Sequence, residues 1–272
     1  MTIKASFIGL ALTLALTATA SAQPAPRQDP WPGLVVDVFD GRPIETETGL
    51  VRLDAPTRAE DAAIVPITIR SEATAPDGTP IRRITLVIDE NPAPVAAVFE
   101  LGAEAGVTQI ATRVRVNTYS NVHAVAEDEK GRLYMDAAFV KASGGCSAPA
   151  LKDADQALAS MGEMRFRMFE PAAQNLSTGA QDAQVMVRHP NYSGLQMDQV
   201  TRHYIPAHFI QSLVVKQGDA PILAVEGGIS LSEDPNVRFT YRSNGEDITV
   251  EATDTEGKVF RSSWPQEMRR AS

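Results

Sequence analysis

Cys146 is the one cysteine in this 272-residue chain and the side chain best suited to covalent chemistry. It stands in the stretch Lys141-Ala142-Ser143-Gly144-Gly145-Cys146-Ser147-Ala148-Pro149, directly after a strand-like run. A thiolate is both a nucleophile and a leaving group, so a group attached to Cys146 could be taken up and handed on. One thiol cannot close an internal disulfide, and a leftover cysteine in an exported chain reads as a free reactive group. Gly144 and Gly145 lack the Cβ restriction on the backbone, so Gly144, Gly145 and Ser147 read as a flexible arm around the thiol. Little apolar sequence lies nearby to bury the side chain, and the expectation is an accessible, mobile Cys146. The competing reading is a buried, inert cysteine, the commoner situation for a free thiol.

Other chemistry finds little support. Four histidines are present. His203 and His208 are five apart with Pro206 between them, which does not place them on one helical face, and no cysteine lies nearby to complete a zinc set. His123 falls inside a strand-like run. No metal site is expected. The sequence contains no Gly-x-Ser-x-Gly, no phosphate loop and no dinucleotide fingerprint after a strand. No catalytic residues and no cofactor are therefore assigned, apart from a covalent adduct on Cys146. Acidic clusters such as Glu60-Asp61 and Glu127-Asp128-Glu129 flank turns and read as solvated.

The N-terminus points to export. Lys4 is the only charge in Met1 to Ala22, the run Phe7 to Leu16 is almost wholly apolar, and Ala20-Ser21-Ala22 is a small-residue cleavage pattern. A run of about ten apolar residues is too short to span a bilayer, which needs about 20. The expectation is a periplasmic protein cut after Ala22, with no membrane insertion after cleavage. The net charge of −9 becomes about −10 once Lys4 is lost, and an acidic chain without a basic patch has no footprint for nucleic acid.

The elements that must hold Cys146 read as β. Residues 23–45 are rich in Pro, Asp and Gly and read as an N-terminal extension docked through Trp31 and Leu34-Val35-Val36. From Val51, short β-rich runs are divided by turns such as Asp77-Gly78 and Lys130-Gly131. Ile84, Leu86 and Ile88 alternate with Thr85 and Val87, as in a strand with one core face. After Cys146 the period changes: Leu151, Ala154, Leu158 and Met161 fall at helical spacing, with Gly162 as a stop. Alternation then resumes at Met164, Phe166 and Met168 and continues through runs separated by Gly218-Asp219, Asn244-Gly245 and Glu256-Gly257. The fold class expected is all-β, with two immunoglobulin-like β-sandwich domains joined by a short helical connector. The boundaries are 46–146 and 163–265, with the connector at 147–162 and a tail at 266–272.

A family resemblance follows from these segments. A strand, a charged residue and then Gly144-Gly145-Cys146 resembles the end of SoxY, the sulfur-carrying subunit of the periplasmic thiosulfate-oxidising system. Leu53-Asp54-Ala55-Pro56, Val65-Pro66-Ile67-Thr68-Ile69 and Ala111-Thr112-Arg113-Val114-Arg115-Val116 agree with it. The second half is similar to SoxZ through Arg188-His189-Pro190, Ile205-Pro206-Ala207-His208-Phe209-Ile210 and Ser230-Leu231-Ser232-Glu233-Asp234-Pro235-Asn236, with Ala252-Thr253-Asp254-Thr255-Glu256-Gly257-Lys258 near the end. The chain thus resembles a fused SoxY–SoxZ carrier of the quinoprotein-dehydrogenase-associated kind. The resemblance implies a non-enzymatic periplasmic carrier with sulfur held on Cys146. Its implied partners are c-type cytochromes, a quinoprotein (PQQ) dehydrogenase or sulfur-oxidation enzymes. One departure is plain: Ser147-Ala148-Pro149 leads onward where the family's arm ends its chain with two more glycines, so Cys146 is tethered on both sides. Two alternatives remain, a docking or assembly factor for an exported dehydrogenase with Cys146 incidental, and a thiol hydrolase or transferase.

Overall fold

The computed structural model describes residues 29–149, 154–169 and 179–265. The signal-peptide reading of residues 1–22, the tail at 266–272 and residues 150–153 of the connector lie outside the described residues.

The chain is nearly all β, arranged as two sheets. Its first half runs α1 (Trp31–Phe39), β1 (Ile44–Thr46), β2 (Val51–Asp54), β3 (Val65–Ser71), β4 (Ile81–Ile88), β5 (Val95–Leu101), β6 (Gln109–Val114), β7 (Ser120–Asp128) and β8 (Leu133–Val140). After α2 (Ala154–Ala159), the second half runs β9 (Met164–Phe169), β10 (Ala180–Val187), β11 (Ile210–Gln217), β12 (Ala220–Gly227), β13 (Asn236–Arg242), β14 (Ile248–Asp254) and β15 (Val259–Trp264). Strict alternation builds β3, β6 and β14: Val65, Ile67 and Ile69, then Ile110 and Val114, then Ile248, Val250 and Ala252 all point inward and are buried.

Each half supplies its own sandwich, but the two are not separate bodies. The larger sheet has the order β1-β8-β7-β4-β5-β12-β11-β14-β15, and the smaller β2-β3-β6-β13-β10-β9. The halves join edge to edge, β5 on β12 with Phe99 opposite Val225, and β6 on β13 with Ile110 opposite Phe239. These pairings remove four sheet edges that would otherwise be open to association. One apolar core runs through both halves, from Ile67 and Phe99 to Phe239 and Val250. Alternation within a strand identifies its core face but not its neighbour, which is why the expected pair of sandwiches gave no sign of the shared sheets.

At this junction Gly102 donates its N–H to the Ile222 carbonyl at 2.9 Å, and a Cβ there would lie 1.9 Å from the Pro221 carbonyl oxygen. Gly102→Ala is therefore expected to lower stability by about 1–3 kcal/mol, the range for forced overpacking. Urea unfolding followed by tryptophan fluorescence and by circular dichroism should give one shared transition for both halves, displaced to lower urea in the variant.

Two details differ from the sequence reading. The Pro-rich extension contains a helix, α1, because Pro32 falls in its first turn, where the missing N–H costs nothing. Trp31, Leu34 and Val38 pack with Phe39 on Val87, Val125 and Leu133, so β4 and β7 are buried on both faces, while Val36 points to solvent. In the connector, Ala157 is buried and Met161 packs against the core, but Leu158 is exposed.

Candidate functional site

The Cys146 loop lies where the first half meets the second. β8 ends at Val140, and Lys141 is held by backbone bonds to Thr57 and Ala59. The next residues turn back against the end of β6. Gly144 N–H donates to the Asn117 carbonyl at 2.7 Å and Gly145 N–H to that of Val116 at 3.2 Å. Ser147 N–H closes the turn onto the Gly144 carbonyl at 3.2 Å.

The long connection between β10 and β11 covers this turn from the other half. Ser193 Oγ donates to the Cys146 carbonyl at 2.5 Å, and Gln196 Nε2 to the Ala148 carbonyl at 2.9 Å. Ser193 is itself fixed, since its N–H donates to Gln196 Oε1 and its Oγ accepts from Leu195 N–H.

Cys146 is consequently buried, at 0% exposure. This corrects the expectation of an accessible thiol on a free arm. The two glycines serve other ends than freedom here. Gly144 adopts φ 78°, a left-handed conformation that a side chain disfavours. Gly145 is a point of close approach: a Cβ would lie 2.1 Å from the Ala62 carbonyl oxygen and 2.6 Å from that of Val116. Ser147 remains exposed at the outer edge of the turn. Burial pushes the Cys146 thiol up to about 11, with Arg115 pulling in the opposite direction. In this arrangement the thiol is protonated and protected.

Beneath the loop lies a buried polar network. Asn91 Nδ2 donates to the Arg115 carbonyl at 2.7 Å and to Ser230 Oγ at 2.9 Å, and Asn91 Oδ1 accepts from Asn117 N–H at 2.8 Å. Arg115 Nη2 donates to the Asn191 carbonyl at 3.0 Å. Arg115 follows the last residue of β6 and lies in a SoxY-like segment, but its place beneath the loop carries no sequence signal, and Ser193 and Gln196 carry none: all act through partners distant along the chain.

Farther along, His189, His208 and Asp254 converge, their nearest nitrogen and oxygen atoms within 4.8 Å of one another. His208 Nε2 lies 2.9 Å and His189 Nε2 3.7 Å from Asp254 Oδ2. The trio fits a metal poorly. Asn191 N–H donates to His189 Nδ1 at 3.0 Å, so the neutral ring carries its proton on Nε2 and offers no lone pair towards Asp254. Burial lowers His189 to about 4, with the neighbouring His208 acting in the same direction. Burial pushes Asp254 upward, but hydrogen bonds from His208 and from the Lys258 and Glu256 N–H groups outweigh it and hold the carboxyl below its ordinary range.

The sign of the resulting pH dependence is fixed. An unfolded His189 takes up a proton below its ordinary value of 6.5, whereas the folded side chain resists until about 4. Stability should fall as pH drops through that window, by up to about 3 kcal/mol, and the depressed Asp254 adds loss in the same direction at lower pH. Urea midpoints measured from pH 7 to pH 4 should decline, and His189→Gln should flatten the decline over the upper part of the window.

The family profile of the sulfur oxidation protein SoxY matches residues 35–146 and ends on Cys146, and that of the sulphur oxidation protein SoxZ matches residues 169–265. The chain is a fused member of the SoxY–SoxZ family. That family is one of carrier or accessory proteins in sulfur oxidation. Among solved structures, the sulfur carrier protein SoxY from Chlorobium limicola f thiosulfatophilum is 23% identical, covering 42% of this chain and 91% of its own, with a TM-score of 0.35. A superoxide reductase (neelaredoxin) from Ignicoccus hospitalis is 15% identical over 36% of this chain and 93% of its own, with a TM-score of 0.28. No curated protein matches the chain. In SoxY–SoxZ terms, the SoxY half presents the Cys146 loop, and the SoxZ half supplies Ser193 and Gln196 to cover it.

Proposed function

We propose that this protein is a periplasmic, non-enzymatic carrier that holds a sulfur species covalently on Cys146 and presents it to sulfur-oxidation enzymes. The observation that carries this reading is the position of Cys146. It terminates the SoxY match, yet it is sheltered outside the main apolar core, beneath a loop from the SoxZ half that grips the backbone carbonyls of Cys146 and Ala148. Bonds to backbone carbonyls hold the loop whatever the thiol carries, and they can break without disturbing a packed core.

Loading requires the loop to open. The exposed thiol then loses its proton to solvent and the thiolate attacks a sulfane sulfur. One S–S bond forms, the donor's S–S bond breaks, and the leaving group departs with the electron pair. Partner enzymes perform all redox steps. On the family resemblance, periplasmic c-type cytochromes and a PQQ-type quinoprotein dehydrogenase are the first partners to test. Export through the Met1 to Ala22 segment, with cleavage after Ala22, belongs to the same proposal; Met1 retained in the periplasmic protein would contradict the cleavage.

One observation favours the alternative, a docking or assembly factor in which Cys146 is incidental: the thiol is fully buried and its loop is tethered on both sides. The two readings part on loading. Incubation of the full chain with polysulfide should give a sulfur adduct that peptide mapping places on Cys146 and that survives gel filtration. No adduct after long incubation, with the unfolded chain loading readily, would favour the docking factor.

A further inference from the structure

Arg115 is among the most deeply buried large side chains, at 2% exposure, and a guanidinium remains charged at any pH the folded protein meets. Burying a charge is costly unless it is paired. Among the described residues Arg115 nevertheless makes no ion pair: its side chain has one hydrogen bond, from Nη2 to the Asn191 carbonyl, and Nε has no partner. The same short segment that receives Nη2 at Asn191 holds the Cys146 carbonyl through Ser193, while the backbone of Val116, next to Arg115, anchors Gly145. Arg115 and Cys146 are thus fastened to the same two pieces of chain. Burial lowers the Arg115 pKa, and among the groups acting against that shift Cys146 comes first, ahead of Glu233 and Asp61. With the thiol protonated, Cys146 supplies the buried cation with no counter-charge.

We propose that Arg115 is a specificity-determining residue that reads the charge of whatever Cys146 carries, favouring the sheltered loop when the attached sulfur group ends in an anion. The inference rests on the carrier reading above and adds to it the residue that separates loaded from unloaded protein. An anionic substituent gives the guanidinium a contact ion pair that Glu233 and Asp61, acting on it without one, do not supply; an uncharged one of similar shape leaves it without that pair and adds bulk alone. Charged hydrogen bonds of this kind are the stronger class, and loss of one partner leaves the other uncompensated.

Two reagents make matched adducts. With tetrathionate, the Cys146 thiolate attacks an inner sulfur, the central S–S bond breaks and thiosulfate leaves, giving Sγ–S–SO3−. With methyl methanethiosulfonate, methanesulfinate leaves and the product is Sγ–S–CH3. The full-length mature protein is loaded with each through its own opening over a long incubation, checked by intact mass, and melted. The sulfonate-terminated adduct should melt higher than the methyl-terminated one by about 3 °C or more. Arg115→Gln, which keeps a donor for Asn191 but no charge, should abolish the difference; Arg115→Lys should retain most of it. Should Arg115→Gln fail to fold, the lysine variant and the wild type decide the matter. Equal melting of the two wild-type adducts, a higher-melting methyl adduct, or a difference that persists in Arg115→Gln would overturn the inference. The carrier reading fails separately. Protein that discriminates as expected yet carries no sulfur at its native source supports Arg115 and contradicts the carrier; natively loaded protein without discrimination does the reverse.

Discussion

Native protein should react with an uncharged thiol reagent at pH 8 at least about a hundredfold more slowly than the urea-unfolded chain. A thiol raised from 9.0 to about 11 is ionised about a hundredfold less, before any steric protection counts. Full burial of the side chain adds to this, so the reaction proceeds only through opening of the loop. The rate then reports the opening equilibrium. Removing the Ser193 hydroxyl should raise it: Ser193→Ala deletes the bond to the Cys146 carbonyl, worth about 1 kcal/mol, or roughly fivefold in rate, and also removes the acceptor of Leu195 N–H inside the covering loop. Native labelling at the unfolded rate would show that the loop is not held as described.

The opposite extreme is expected of Gly145→Ala. Its Cβ would lie well inside contact distance of two carbonyl oxygens, those of Ala62 and Val116. Both belong to backbone fixed by the Val116 N–H to Ala62 carbonyl bond at 2.8 Å, so neither can withdraw. The loop must leave its seat. Labelling of Cys146 in the folded variant should approach the unfolded rate, while stability falls by about 1–3 kcal/mol, the range for overpacking. Gly144→Ala should have a smaller effect, since only a left-handed backbone is strained there, with open space around its Cβ apart from Ser147 Oγ at 3.9 Å. Slower labelling in Gly145→Ala would mean that the glycine provides mobility and not close approach.

These two glycines mark where sequence reading reaches its limit. Gly-Gly before a cysteine has three physical readings: free backbone, positive φ and close approach. Only the fold separates them. Strands with one core face were legible because burial follows alternation, as Val65, Ile67 and Ile69 illustrate; in β4 the expected single core face did not hold, since Thr85 and Val87 are buried as well, Val87 under α1. Strands β1 and β2 are three and four residues long, too short for a period to register. The fused sheets were invisible because Phe99 and Val225 each satisfy an ordinary core pattern without naming the other. Burial of Cys146 was invisible for the same reason: the covering residues, Ser193 and Gln196, lie 47 and 48 positions along the chain from the residues they hold. The family, in contrast, was legible from local segments in both halves, and the SoxY and SoxZ matches bear it out.

Burial alters one expectation about the thiol with practical effect. An exposed Cys146 could be replaced by serine at almost no cost. A fully buried one cannot, because the more polar hydroxyl must find partners or lose hydration, at about 1–3 kcal/mol. Alanine is the better control for loading experiments.

The central claim, that Cys146 carries sulfur covalently in the cell, is tested most directly by the intact mass of the mature protein purified from its native periplasm without reductant. The account predicts a population heavier than the bare chain by sulfur-containing groups, removed by a thiol reductant and absent from Cys146→Ala. A single species at the mass of the unmodified chain, under growth conditions in which sulfur compounds are being oxidised, would contradict it.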